Sequence, residues 1–258
     1  MKRMLLATLF TLIATTVSFA QTQTQPTTMT NLYLVRVERV KPELMREYRE
    51  LKQNELIPAY KKGGVTLHST YTTSLIGEHF EFISVEPVES LKQFDGQGPV
   101  VKALGTEGQT ALQTKHRRLI NSAHNYIVQL RPDLSANVPK PEAPPAKGAL
   151  AVRLTVAPGR TQDYENYVKA DVLPILKKAY PKGVLTAKVM LGGNGNEYRV
   201  LVLVDSFDEL EQAMMEAVQE GFMKIQPKTA GIILHTENSI VRYVPELSIR
   251  PEPQKAAK

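Results

Sequence analysis

The chain is written twice. Residues 40–62 read VKPELMREYRELKQNELIPAYKK, and residues 156–178 read VAPGRTQDYENYVKADVLPILKK. Placed together without a gap, Val40, Pro42, Tyr48, Pro58, Lys61 and Lys62 fall on Val156, Pro158, Tyr164, Pro174, Lys177 and Lys178. NYIVQLRPDLS at 125–135 answers to NSIVRYVPELS at 238–248, LVRV at 34–37 to AVRL at 151–154, and VEPVESLKQF at 85–94 to VDSFDELEQA at 204–213. The blocks keep their order over a unit of about 100 residues, the size of an ordinary small domain. A repeat of this kind restricts the chain to two similar halves built on one plan.

The plan is legible in the periodicity. In each copy an alternating stretch opens the unit (Tyr33, Val35, Val37; Leu150, Val152, Leu154, Val156), which predicts a strand. A proline then starts a helix where its missing N–H costs nothing. Leu44, Tyr48, Leu51, Leu56 and Tyr60 give that helix one apolar stripe, and Gly63-Gly64 or Pro181-Lys182-Gly183 ends it. Two tightly joined strands follow, at 65–75 and 78–85 in the first copy and at 184–191 and 197–204 in the second. The second-copy turn is Gly192-Gly193-Asn194-Gly195-Asn196, a hairpin signal and not a phosphate cradle. A second helix comes next, acidic at its start in copy two and expected to be broken in copy one by Gly96, Gly98 and Pro99. The final strands are expected at 119–130 and 232–243. The order is βαββαβ, twice: an α+β protein of two tandem ferredoxin-like units, each a four-stranded antiparallel sheet with both helices on one face. The bare faces of two such sheets cover each other if they pack sheet to sheet as an intrachain pseudo-dimeric barrel.

The remaining segments complete the division. Residues 1–20, MKRMLLATLFTLIATTVSFA, place Lys2 and Arg3 before an apolar run and end in Ser18-Phe19-Ala20, the pattern of a cleaved export signal. The apolar run is too short to span about 30 Å of hydrocarbon. Residues 21–30 and 249–258 are expected to be flexible. The half-barrels are expected at 31–134 and 148–248, joined by a Pro-rich linker at 135–147. The expected location is therefore periplasmic or secreted.

Composition then removes function classes. There is no Cys, hence no disulfide, thiolate metal site or cysteine nucleophile. Net charge is +6; removing Lys2 and Arg3 leaves 30 basic against 26 acidic residues, or +4, with no concentrated patch. The densest run, Lys115-His116-Arg117-Arg118, reads as a solvated helix end, and no nucleic-acid partner is expected. No membrane contact is expected after signal cleavage. One chain supplying both halves points to a monomer with an internal pseudo-twofold.

On its two βαββαβ units, helix-start prolines included, the sequence resembles the dimeric α+β barrel superfamily. That superfamily includes NIPSNAP, antibiotic-biosynthesis monooxygenase, EthD, chlorite-dismutase and dye-decolourising-peroxidase groups. NIPSNAP-like and monooxygenase-like domains are nearest in unit length. The resemblance implies the fold, and a ligand, substrate or haem held inside the barrel or between sheet and helices. It does not carry an activity, because these groups share architecture and differ in chemistry.

The side chains must supply the rest, and five histidines are the main lead. Alternation puts Ser122, His124, Tyr126 and Val128 on one face of their strand, and His235, Glu237, Ser239 and Val241 on the equivalent face of the other. If that face is inward, the barrel holds two imidazoles, a carboxylate and a phenol near its axis, a set suited to acid–base work or to polarising a ligand. The candidate cavity-lining residues are His68, His124, Tyr126, His235 and Glu237; catalytic residues remain open. His124 aligns with Glu237 and Ser122 with His235, so a symmetric metal site is disfavoured and no metal is expected. No cofactor is expected. Haem is the weakest alternative, since no family motif surrounds any histidine and Trp is missing. Tyr33, Tyr48, Tyr60, Tyr164 and Tyr167, with Met214 and Met215, read as packing. The reading is an exported barrel that binds a small, largely apolar molecule between or inside its halves, with a cofactor-independent monooxygenase as the alternative.

Overall fold

The structure is a computed structural model that describes residues 31–140 and 143–251. The expected export signal, residues 21–30 and most of the tail lie outside the described residues.

Eight strands form one closed antiparallel barrel: β1 Leu32–Val40, β2 Ser69–Thr73, β3 Glu81–Val88, β4 Ile120–Leu130, β5 Gly148–Val156, β6 Val184–Leu191, β7 Glu197–Val204 and β8 Ile233–Tyr243. Around the barrel the order is β1-β3-β2-β8-β5-β7-β6-β4. The first four strands make one sheet and the last four another. Two short seams join them, β2 to β8 through Tyr71–Thr73, and β4 to β6 through Ile127–Leu130. This is an α+β fold of two ferredoxin-like units whose sheets close on each other, and closure removes the exposed sheet edges that invite aggregation.

Helices cover the outside. In the first half these are α1 Met45–Leu51, α2 Ile57–Lys62 and α3 Pro99–Leu119; in the second, α4 Thr161–Tyr167, α5 Leu173–Ala179, α6 Phe207–Gln219 and α7 Phe222–Ile225. A π-turn joins α1 to α2 (Lys52–Leu56) and another joins α4 to α5 (Val168–Val172). Both sit just before the duplicated Pro58 and Pro174, where a proline ring cannot tolerate a regular helical carbonyl. The expected break in the second helix of copy one takes a specific form. A short 3-10 turn at Leu91–Phe94 precedes α3, and α3 itself kinks at Gly105, whose φ of 71° is left-handed. The second strand of copy one is shorter than its expected span, starting at Ser69.

Register decides what each strand presents. Val37 lies opposite Ile83 and His124, and Arg153 lies opposite Arg199 and Glu237. Val40 and Val156 each stand just past a bulge in the same position, so Val37 and Arg153 are structural equivalents. The likeness of LVRV to AVRL is therefore one residue out of step. The ladders align Arg36 with Val152, and Arg36 and Arg153 point to opposite faces. Val88 and Val204 likewise correspond, pairing with Leu32 and Gly148, so the match of VEPVESLKQF to VDSFDELEQA is displaced by three.

Packing follows these faces. Val35, Tyr126, Val128 and Val189 fill one part of the lumen, and Ala149, Leu203 and Val241 another. Outside the sheet, Val40, Tyr48, Leu51, Phe82, Leu112 and Leu119 pack under α1 and α3, with Tyr164, Val168 and Tyr198 in the matching layer of the second half. Fully burying each such apolar side chain contributes about 1.5–3 kcal/mol. Each half also ends on the other: Ala136 bridges to Val184, and Ile249 bridges to His68. The start of the linker at 135–147 and of the tail at 249–258 are thus docked backbone, with Ala136 and Ile249 buried. Met214 and Met215 are 51% and 57% exposed. They do not pack as expected, because α6 turns Leu210, Ala213 and Ala217 to the sheet instead.

Candidate functional site

The inward face of the strands carries three successive pairs of equivalent positions. In the first half they hold Val35–Val85–Tyr126, Val37–Ile83–His124 and Arg39–Glu81–Ser122. In the second they hold Ala151–Leu201–Ser239, Arg153–Arg199–Glu237 and Thr155–Glu197–His235. Two apolar side chains of the first half, Val37 and Ile83, are thus replaced by arginines in the second.

These groups form a connected ladder. His235 Nε2 donates to Glu237 Oε1 at 2.8 Å, and Arg153 Nε stands 3.3 Å from the other Glu237 oxygen. Arg153 also lies 3.6 Å from Glu197, which pairs with Arg199. The Arg199 guanidinium covers the Tyr126 ring at 5.1 Å, and His124 lies beside that ring at 5.6 Å between centroids. The stack crosses from the second half into the first, and such a cation–π contact contributes about 0.5–2 kcal/mol. The His235 hydrogen bond lowers the Glu237 carboxyl below its usual range; burial opposes this, and the Arg153 charge adds to the lowering. Burial raises the Tyr126 phenol and the Glu81 carboxyl, with Arg199 and Arg39 respectively opposing it.

Four of the five residues singled out in the sequence therefore share the lumen: His124, Tyr126, His235 and Glu237. Tyr126 is buried, while His124, His235 and Glu237 are exposed, since β4 and β8 run past the short seams there. His68 is elsewhere. Its strand turns it outward, 2% exposed, with Nδ1 2.8 Å from Glu86 and Nε2 3.1 Å from Thr70 Oγ1, against the edge of the Tyr60 ring. It helps lock the incoming Ile249 strand, and it does not meet the other four.

A second polar cluster lies under the first-half helices. Glu38, 1% exposed, accepts from Tyr48 Oη at 2.6 Å, and Lys52 Nζ lies 2.8 Å from the same oxygen. Arg36 Nε and His116 Nε2 lie 2.6 and 3.2 Å from its other oxygen, off the angles of a hydrogen bond. Burial pushes the Glu38 carboxyl up, but Lys52, His116 and Arg36 together hold it well below its ordinary value. Burial and the facing Glu38 charge raise the Tyr48 phenol. His116 is not a solvated helix end: it sits on the inner side of α3, with a side chain only 13% exposed. Its neighbours Lys115 and Arg118 face outward and pair with Glu55 and Glu47 across a groove of about 590 Å³ between α1 and α3. The sequence did hold a signal for this cluster, in the charges at Glu38 and Lys52 inside apolar periodic stretches, where copy two has Leu154 and Val168.

Among the described residues, no group of three or more acidic or histidine side chains is placed to hold a metal ion. The groove between α1 and α3 is lined by no histidine, His68 has both ring nitrogens engaged, and His116 and His235 turn Nε2 to carboxylates.

No described protein family matches the sequence, and no curated protein does. Solved structures do match the fold over nearly their whole length. A candidate monooxygenase from Fusobacterium nucleatum is 12% identical, covers 88% of this chain and 97% of its own, and superposes with a TM-score of 0.53. An anthrone oxidase-like protein is 13% identical, with 88% and 96% covered and a TM-score of 0.53. A mutant chlorite dismutase from Candidatus Nitrospira defluvii is 7% identical, with 84% and 92% covered and a TM-score of 0.51. With the closed eight-strand barrel, these likenesses show that the chain has the dimeric α+β barrel fold, with one polypeptide supplying both halves. At such identities they establish the fold alone.

Proposed function

We propose that this is an exported barrel that binds a small molecule at the open end of its lumen. The observation that carries the reading is the replacement of Val37, Ile83 and His124 by Arg153, Arg199 and Glu237 at equivalent inward positions. A barrel that needed only to be filled would use aliphatic residues, as both halves do around Val35, Val189, Ala149 and Leu203. Charged groups placed inward and left partly open to solvent are expensive to desolvate and useful to a ligand. The ligand lays its largely apolar body on the aliphatic lumen and its polar group on Arg153, Arg199 and His235.

Native mass spectrometry of protein taken from its own host tests this directly, by looking for a retained small molecule. The retained mass should fall away in Arg199→Ile, which installs the first-half residue, with thermal stability nearly unchanged. Retention unchanged by Arg199→Ile and by His235→Ala would sink the lumen reading. The same spectrum reads the remaining expectations: a monomer mass, and a chain beginning at Gln21 if the signal is cleaved after Ala20.

The His235–Glu237 pair supports a second reading, cofactor-independent oxygenation. An imidazole fixed by a carboxylate is suited to remove a proton from an activated carbon or phenol. Anthrone is a fair probe, given the fold neighbour described as anthrone oxidase-like: C14H10O and O2 would give anthraquinone, C14H8O2, and water. Oxygen uptake with anthrone that disappears in His235→Ala supports it; no uptake above buffer removes it.

A further inference from the structure

We infer that the outer face of α6 is a docking surface for a basic amphipathic helix of a partner protein, one whose apolar anchors are flanked by lysine or arginine. The surface lies on the helical side of the second half, across the sheet from the lumen.

α6 is apolar on two sides where the fold needs one. Leu210, Ala213 and Ala217 turn to the sheet and are buried. Phe207, Met214 and Val218 are spaced by seven and four residues, two turns and one, and so form a second stripe beside the first. Met215 stands next to that stripe, and Met223 follows on α7. These five side chains are between 41% and 57% exposed. Single exposed apolar residues are ordinary, whereas a contiguous run of them marks a place of interaction. From Phe207 to Val218 the stripe is about 16 Å long, which matches three turns of a partner helix. Methionine, unbranched and polarisable, repacks readily against an incoming apolar surface.

Charge names the occupant. α6 carries Asp208, Glu209, Glu211 and Glu216, is followed by Glu220, and contains no Lys or Arg. Lys182 lies beside Glu209, Lys178 pairs with Glu220, and Asp208 accepts from Gln212. Arg242 is spent over the Phe207 ring, at 5.7 Å. Among the described residues, nothing pairs with Glu211 or Glu216, and both are exposed. A second copy meeting this face about a twofold axis would set these acids against themselves, and opposed like charges are costly at an interface. A helix with cations beside its apolar anchors meets them with the opposite sign.

The duplication shows that the fold does not require such a face. Ser90 and Ser206 are equivalent caps, each accepting a backbone N–H at the start of its segment. Beyond Ser90, the first-half helix α3 exposes Thr106, Thr110, Gln113 and Thr114. A solvated helix is satisfied by hydroxyls and amides; the second half puts methionine, valine and unpaired acids in their stead.

The test uses the whole chain and a synthetic helical peptide of leucine and lysine, LKKLLKLLKKLLKL, with its glutamate counterpart LEELLELLEELLEL. Fluorescence anisotropy of the labelled peptides reads binding. The lysine peptide should bind with a dissociation constant on the order of 10 μM at low salt, and the glutamate peptide about tenfold more weakly or not at all. Met214→Gln with Val218→Gln should weaken the lysine peptide about tenfold. Glu211→Gln with Glu216→Gln should do the same and flatten the dependence on salt. All four positions are exposed, so both variants should fold. Glu43→Gln with Glu50→Gln, exposed acids of the first half, should leave the affinity unchanged. Absence of saturable binding, equal affinity for the two peptides, binding that survives either α6 variant, or binding lost in the first-half variant would each overturn the assignment. So would a concentration-dependent dimer in sedimentation equilibrium that Met214→Gln with Val218→Gln dissolves, because the face would then belong to a second copy.

Discussion

Tyr48 donates its phenolic hydrogen to Oε2 of Glu38 across 2.6 Å, with both side chains sealed from water beneath α1. The equivalent phenol of the second half, Tyr164, faces Leu154 in place of a carboxylate, and the polar role passes to its ring partner Tyr198, whose hydroxyl donates to Glu165 at 2.7 Å. The same stacked pair therefore serves two different electrostatic designs.

Removing Glu38 alone should be severe. Glu38→Leu leaves Lys52 buried without its counter-ion, and breaking a buried pair by deleting one partner costs about 3–5 kcal/mol. The triple variant that also converts Arg36 and Lys52 to valine removes the stranded charges and should unfold within about 1 kcal/mol of wild type, or above it. Urea denaturation followed by circular dichroism distinguishes the two. Equal losses in both would mean that the ions themselves hold the half together.

The same carboxylate should govern acid stability. Its folded pKa is depressed below the unfolded value near 4.5, so between the two the unfolded chain binds the extra proton. The stabilisation is complete above that value and fades as pH falls through the depressed folded one. Wild type should therefore lose stability more steeply below pH 4.5 than the triple variant does, when the urea midpoint is followed from pH 7 to pH 3. Parallel profiles would show that Glu38 makes no contribution.

The division of labour explains what the sequence could disclose. Repeat spacing, helix-start prolines and alternation gave the element order, because those signals are local. The inward placement of His124, Tyr126, His235 and Glu237 followed from alternation once a barrel was supposed. His68 did not follow, since its strand begins only at Ser69 and an Ile249 from the other half fixes it. Arg153 and Arg199 were hidden by a one-residue slip between LVRV and AVRL, which turned an inward arginine into an apparent match for Arg36. The Glu38 cluster needs α1, α3 and β1 together, and His116 was obscured by outward-facing basic neighbours.

In the lumen, His235 should set the charge state of Glu237. Its hydrogen bond is the largest influence lowering that carboxyl, ahead of Arg153. In His235→Ala the Glu237 carboxyl should titrate closer to the ordinary glutamate range, read by carbon-detected NMR of the side-chain carboxyl. Both side chains are more than half exposed, so stability should change by less than about 0.5 kcal/mol. A carboxyl that titrates identically with and without the imidazole would show that the pair does not act as a unit.

The two junctions between halves should prove exchangeable in charge. Arg131, just past β4, grips both oxygens of Glu165 on α4 at 2.6 and 2.8 Å, and both oxygens of Asp133 at 2.8 Å. At the equivalent junction the positions of Arg131, Asp133 and Glu165 are taken by Val244, Glu246 and Arg49. There Arg49 reaches Glu246 at 3.2 Å and lies over Phe82 at 5.3 Å. Arg131→Val alone strands Glu165, which is 8% exposed, and should cost about 2 kcal/mol, the worth of hydrogen bonds to a charged group. Adding Glu165→Arg rebuilds the other junction against Asp133, with Tyr198 in the place of Phe82, and should recover about half of that loss. Thermal and urea unfolding of the two single variants and the double complete the cycle. Strict additivity would mean that the halves are held by backbone pairing alone, with the ion pairs incidental to their docking.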